Sequence, residues 1–255
     1  MSGAPSLATD LLTTWTVGEH TADGLDGVSL TFPTYRKGSG PGVIVIHEIP
    51  GMTPEFIRFA EEVVAAGFTV VLPHLFGTPG EPFGTVNTAA RLGQVCVRRE
   101  FVTLATRRTS PIAGWLRSLA RELHAAVGGP GVGAIGMCFT GGFALGMMVD
   151  EAVAAPVLCQ PSVPYAVTPG RARDVNLSPG DLTAVKQRAA GGCQVLGLQY
   201  AGDPTTGKRF DTLERELGDA FIRVDFPGRL HATVTRHRQQ EGVDRVLAFL
   251  GEKLR

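Results

Sequence analysis

An excess of charge of either sign is the first thing this chain of 255 residues lacks, since its 24 acidic and 24 basic side chains cancel. Without a basic surplus, neither nucleic acid nor a membrane surface is called for as a partner. Cysteine is scarce too. The four cysteines, Cys96, Cys138, Cys159 and Cys193, show no CxxC pairing, and reduced thiols in a cytoplasmic protein are expected. Met1 to His20 contains no basic stretch leading into an apolar one, so no secretory signal is expected. Ala125 to Val149 carries no charge and is long enough to span a bilayer. Its Gly128-Gly129-Pro130-Gly131 break and the glycines around Cys138 instead divide it into loop, strand and helix. No internal repeat or linker interrupts the chain, so 1–255 is expected to be one domain. With 44% apolar and 19% charged residues, such a domain buries roughly three quarters of its unfolded surface.

What is present alternates between strands and helices. Gly42 to Glu48 is a continuous apolar run of the kind buried on both faces of a parallel sheet. Thr53 to Gly67 has helical periodicity and ends on a glycine suited to a helix terminus. Phe68 to Leu72 is the next strand. Ser110 as an N-cap, with Pro111 at the first helical position, opens a helix to about Val127. Further strands are expected over Val132 to Met137, Val153 to Leu158, Gln194 to Tyr200 and Ala220 to Phe226, with a terminal helix over Gly242 to Leu254. The pattern implies an α/β fold with a mostly parallel sheet flanked by helices on both faces. Residues 1–40 read as an N-terminal extension with edge strands. Gly77 to Thr88 and Pro161 to Gly180 are rich in turn-forming residues and read as loops, the second within a candidate lid insertion over 161–190.

Chemistry concentrates at Val132-Gly-Ala-Ile-Gly-Met-Cys138-Phe-Thr-Gly-Gly142. The run predicts a strand, a sharp turn at Cys138 and a helix from about Phe139 to Leu145. Such a turn pushes a nucleophile out at the strand end, and the helix N-terminus supplies free N–H groups and a dipole that favours thiolate. Acyl transfer by a thiol also needs a base and an acid that orients it. Asp203 follows one strand in Tyr200-Ala-Gly-Asp203-Pro204, and His231 follows the last in Pro227-Gly-Arg-Leu-His231. His237 is a weaker rival to His231. Two patterns mislead. Gly131-x-Gly133-x-x-Gly136 lies before and within a strand rather than opening a helix, so no dinucleotide site is expected. His47-Glu48 begins like HExxH but continues to Gly51, so no metal is expected.

These blocks resemble the dienelactone hydrolase family of α/β-hydrolases over most of residues 40 to 250. Gly136-Met-Cys138-Phe-Thr-Gly-Gly is similar to its nucleophile motif, Gly202-Asp203 to its acid turn, and Gly228-Arg-Leu-His231 to its histidine loop. His47-Glu48-Ile49-Pro-Gly51, with Phe68 to Gly77 after it, resembles its first block. The resemblance implies an α/β-hydrolase fold and a Cys138–His231–Asp203 triad. It also implies that Glu48 influences the protonation of the cysteine, and that the N–H groups of Ile49 and Phe139 form an oxyanion hole. Thr140 stands where the family usually has glycine, which predicts some backbone strain. Thr78 and Thr235 stand where dienelactone-cleaving members carry two carboxylate-binding arginines. Arg98, Arg99 and Arg236 are candidate replacements.

The expected activity is hydrolysis of a small ester or lactone through an acyl-cysteine, with no cofactor. The expected partner is that small molecule, and the expected state is a monomer or small homo-oligomer. The alternative is a non-catalytic binding protein, or a thiol redox sensor, on the same scaffold.

Overall fold

The computed structural model describes residues 11–101 and 104–255. The first ten residues of the expected N-terminal extension lie outside the described residues. In chain order the elements are β1 (Thr16–Asp23), β2 (Ser29–Lys37), β3 (Gly42–Ile46), α1 (Pro54–Ala65), β4 (Thr69–Pro73), α2 (Thr85–Cys96) and α3 (Ile112–Val127). Next come β5 (Val132–Met137), a 3-10 turn over Cys138–Thr140, α4 (Gly141–Met147), β6 (Val153–Cys159), α5 (Pro169–Arg173) and α6 (Pro179–Ala190). The chain closes with β7 (Val195–Tyr200), α7 (Arg209–Leu217), β8 (Phe221–Phe226) and α8 (Gln240–Leu254).

The eight strands form one sheet in the order β1-β2-β4-β3-β5-β6-β7-β8. From β4 across to β8 neighbouring strands are parallel, while β1 and β2 run antiparallel at one edge. Every residue of β3, β4, β5 and β7 is buried, as apolar runs covered on both faces require. Side chains alternate between two layers. Val43, Val45, Ile135 and Met137 pack with α1 and α8 on one face. Ile44, Ile46 and Ala134 pack with Trp115 and Leu116 of α3 and Phe143 of α4 on the other.

Local rules account for the boundaries. Thr53 caps α1 by accepting from the Phe56 N–H, with Pro54 at the first helical position. Gly67, at φ +87°, ends that helix in the left-handed region. Three expectations are corrected. Ser110 does not cap α3, because its hydroxyl donates to the Phe101 carbonyl at 2.5 Å. The stretches read as loops contain helices, since α2 begins inside the first and α5 lies inside the second. The helix after Cys138 begins as a 3-10 turn, and α-helical bonding starts at Gly141. No described helix is long and apolar enough to cross a membrane.

Candidate active site

The C-terminal ends of β3, β5, β6, β7 and β8 converge on a cavity of about 360 Å³ whose lining includes Glu48, Cys138, Ser162, Thr205, His231 and Thr235. Crevices at this end of a parallel sheet are where ligands bind in such folds. Cys138 takes φ +52°, in the left-handed region that side-chain-bearing residues rarely occupy. The strand-to-turn geometry forces this conformation. Gly136 must lack a side chain, because a Cβ there would lie 2.2 Å from the Thr140 carbonyl oxygen.

Thr140 itself is unstrained, at φ −96° and ψ 0°, which corrects the expected cost of its side chain. Its hydroxyl accepts from the Met137 N–H at 3.0 Å and lies 3.1 Å from both the Ile46 and Met137 carbonyls. It therefore ties the turn to the ends of β3 and β5, which a glycine could not do.

His231 Nδ1 and Asp203 Oδ2 are 2.5 Å apart. Asp203 is buried and also accepts from the Thr205 N–H at 2.9 Å, the Thr205 hydroxyl at 2.7 Å and the Thr206 hydroxyl at 2.8 Å. Burial alone would raise its carboxyl, but the hydrogen bond and charge of His231 and the Thr205 contacts outweigh it and hold it at about 2. Burial pulls His231 down, yet the Cys138 sulfur and the Asp203 carboxylate beside it leave it well above an ordinary imidazole. His237, the rival, hydrogen bonds through Nδ1 to the His231 carbonyl and so braces the loop that carries His231.

Glu48 is buried and its hydroxyl partner is Thr235. Burial raises its carboxyl above the usual range, against the opposing pull of His231 and the Thr235 hydroxyl. Ligating atoms of Glu48, Cys138 and His231 all lie within 4.8 Å of one another, a grouping among the described residues that could also hold a metal ion. His47 lies apart from it. Its Nε2 accepts from the Leu75 N–H at 3.1 Å, and burial pushes it down to about 3, which suits a neutral structural histidine.

Sequence reading missed three contributors. Ser162 places its hydroxyl 3.4 Å from the Cys138 sulfur, while its N–H donates to the Cys138 carbonyl at 2.9 Å. Thr205 links the acid to the histidine, with its hydroxyl 2.9 Å from His231 Nδ1. Tyr165 forms part of the cavity wall. Of the candidate arginines, Arg236 reaches the cavity, its guanidinium 3.7 Å from the centre of the Phe83 ring. Arg98 and Arg99 do not. They line a different cavity, where Arg98 pairs with Glu100 and lies over the Phe32 and Phe101 rings, and Arg99 pairs with Asp26 at 3.5 Å. Thr78 is not part of the Cys138 cavity lining.

The sequence profile of the dienelactone hydrolase family matches residues 29–169. No curated protein matches the chain by sequence. Among solved structures, a dienelactone hydrolase from Anabaena variabilis superposes with a TM-score of 0.59 at 18% identity, over 94% of this chain and 99% of that one. A dienelactone hydrolase-like promiscuous phosphotriesterase from metagenomic libraries superposes with a TM-score of 0.61 at 16% identity, over 94% and 99%. An α/β hydrolase from Penicillium sp. sh18 gives 0.64 at 13%, again over 94% and 99%. At these identities the likeness establishes a shared fold.

Proposed function

The chain belongs to the dienelactone hydrolase family, and from that premise we propose that it hydrolyses a small ester or lactone through an acyl-cysteine intermediate. The observation that carries this reading is the joint placement of Cys138, on a left-handed turn at the cavity floor, and a His231 backed by Asp203.

In the proposed sequence the Cys138 sulfur attacks the substrate carbonyl carbon, and the carbonyl electron pair moves onto oxygen. The N–H groups of Ile49 and Phe139 receive that oxyanion, a contribution of about 3 kcal/mol per donor in comparable chemistry. The tetrahedral species collapses, the C–O bond to the alkoxide breaks, and His231 passes to the leaving oxygen the proton it holds from the Cys138 thiol. Water then attacks the thioester with His231 taking its proton, and the acid departs as the thiol re-forms. Asp203 keeps Nδ1 engaged, so the opposite ring nitrogen serves the reacting atoms. Glu48 biases Cys138 between resting and reactive states from its place beside the sulfur. Ser162 adds a hydroxyl that orients the sulfur. These steps call on no cofactor.

A redox role for Cys138 finds little support in its neighbourhood. Cys159, on the adjacent strand, is fully buried, and burial pushes its thiol far above the ordinary range, away from the reactive thiolate that a resolving cysteine needs. Release of nitrophenol from p-nitrophenyl acetate tests the proposal. Cys138→Ala and His231→Ala are each expected to lower turnover by roughly 10,000-fold in a folded protein, and retained activity in Cys138→Ala would defeat the mechanism.

A further inference from the structure

The polar side chains at the cavity floor are already engaged with one another. Thr235 holds Glu48, Thr205 holds Asp203 and His231, and Ser162 faces the Cys138 sulfur. What remains for a ligand is apolar wall, contributed by Ile49, Pro50, Phe83, Leu92, Ala232 and the Tyr165 ring. Phe83 and Leu92 are exposed at 36% and 39% although both are large and apolar. Exposed apolar side chains grouped at a cavity mouth offer area for an apolar ligand to cover.

Charge is distributed against an anionic ligand. Glu48 at the floor and Glu55 on the wall are the lining carboxyls, and Glu48 is buried. The Arg236 guanidinium stacks on the Phe83 ring, on an exposed side chain rather than at the floor. A carboxylate carried into this cavity would lose its hydration without gaining an uncommitted buried cation, because the His231 charge is already matched by Asp203 and the Cys138 sulfur. Desolvating an unpaired charge is strongly unfavourable.

Resting on the hydrolase reading above, we propose that the site is selective for uncharged esters and lactones with an apolar acyl group, and discriminates against substrates that bring a second, ionised carboxylate into the cavity. Phe83, Leu92 and Tyr165 are then the specificity surface. Thr235, whose hydroxyl donates to Glu48, is part of the same arrangement, because a neutral residue there adds no cation for a substrate carboxylate.

The test is a matched pair of substrates assayed on the wild-type chain at pH 7. These are p-nitrophenyl hexanoate and the p-nitrophenyl monoester of adipic acid, which differ mainly in whether the acyl chain ends in methyl or carboxylate. The hexanoate ester is expected to show a kcat/KM at least ~100-fold higher, with most of the difference in KM. Comparable values for the two would overturn the selectivity while leaving the hydrolase reading in place. A preference for the adipate ester that disappears in Arg236→Ala would overturn it as well and would identify Arg236 as a carboxylate clamp. Release from neither ester by the folded chain would overturn the hydrolase reading, and the selectivity with it.

Discussion

At Cys138 the backbone is held at φ +52°, a conformation that costs an L-residue about 1–3 kcal/mol and persists only where its surroundings over-determine it. Here the surroundings are Gly136, which permits the close approach of the Thr140 carbonyl, and Thr140, whose hydroxyl pins the strand ends. The candidate cysteine, acid and histidine could be proposed from sequence because each follows a strand in a short glycine-containing turn. Ser162, Thr205 and the Thr235–Glu48 contact could not. They are ordinary polar residues whose meaning comes from loops far apart in sequence, as the separation of Glu48 from Thr235 illustrates. One prediction belongs at this scale. Asp203 helps hold His231 well above an ordinary imidazole, so Asp203→Asn should let that value fall. A group with a raised value keeps its proton to higher pH, so removing the carboxylate moves loss of the imidazolium to lower pH. A pH series of His231 ring NMR signals should show this shift, with kcat/KM on p-nitrophenyl acetate reduced about 100- to 10,000-fold. An unmoved titration would separate Asp203 from His231.

At the scale of elements, α7 was not read although it buries Phe210, Leu213 and Leu217. The buried strands and the helices α1, α3 and α8 were readable because burial on both faces leaves an unbroken apolar run, and burial on one face leaves a helical stripe. The helices α2 and α6 escaped for the opposite reason. Only Val95 is buried in α2, and only Val185 and Ala189 in α6, so neither has a well-buried face, and both begin in segments rich in glycine and proline. Capping is what marks α6, since Ser178 accepts from the Asp181 N–H at 3.1 Å. The loops that bring Ser162 and Thr205 to the site are held by Arg209 at the start of α7. This side chain is fully buried, and burial lowers it to about 10. It donates to the carbonyls of Thr205 and Thr206 at 2.9 and 2.6 Å, of Ser162 and Arg171 at 3.4 and 3.2 Å, and of Pro164. Arg209→Met keeps much of the side-chain volume but strands those carbonyls. A loss of about 2–4 kcal/mol in urea unfolding is expected, together with a fall in kcat as Ser162 and Thr205 lose their support. Unchanged stability would show that water replaces the guanidinium at no cost.

For the molecule as a whole, a parallel sheet with helices on both faces gathers strand ends into one crevice, and this chain places an apolar cavity there with a cysteine at its floor. Sequence order and motif spacing anticipated the strands that meet at that crevice. They could not assign the arginines, because the cavity a loop side chain reaches depends on the path of that loop in three dimensions. Arg98 and Arg99 fall beside a separate cavity. During turnover Cys138 is expected to carry an acyl group in this crevice. The most direct measurement is intact-protein mass spectrometry within seconds of mixing with p-nitrophenyl acetate, comparing wild type with Cys138→Ala. The expected result is a wild-type species heavier by one acetyl group, mapped to Cys138 by peptide analysis, that decays as ester is consumed and does not form in the variant. Nitrophenol release without that species, or an acetyl group on the variant that turns over at the wild-type rate, would contradict it.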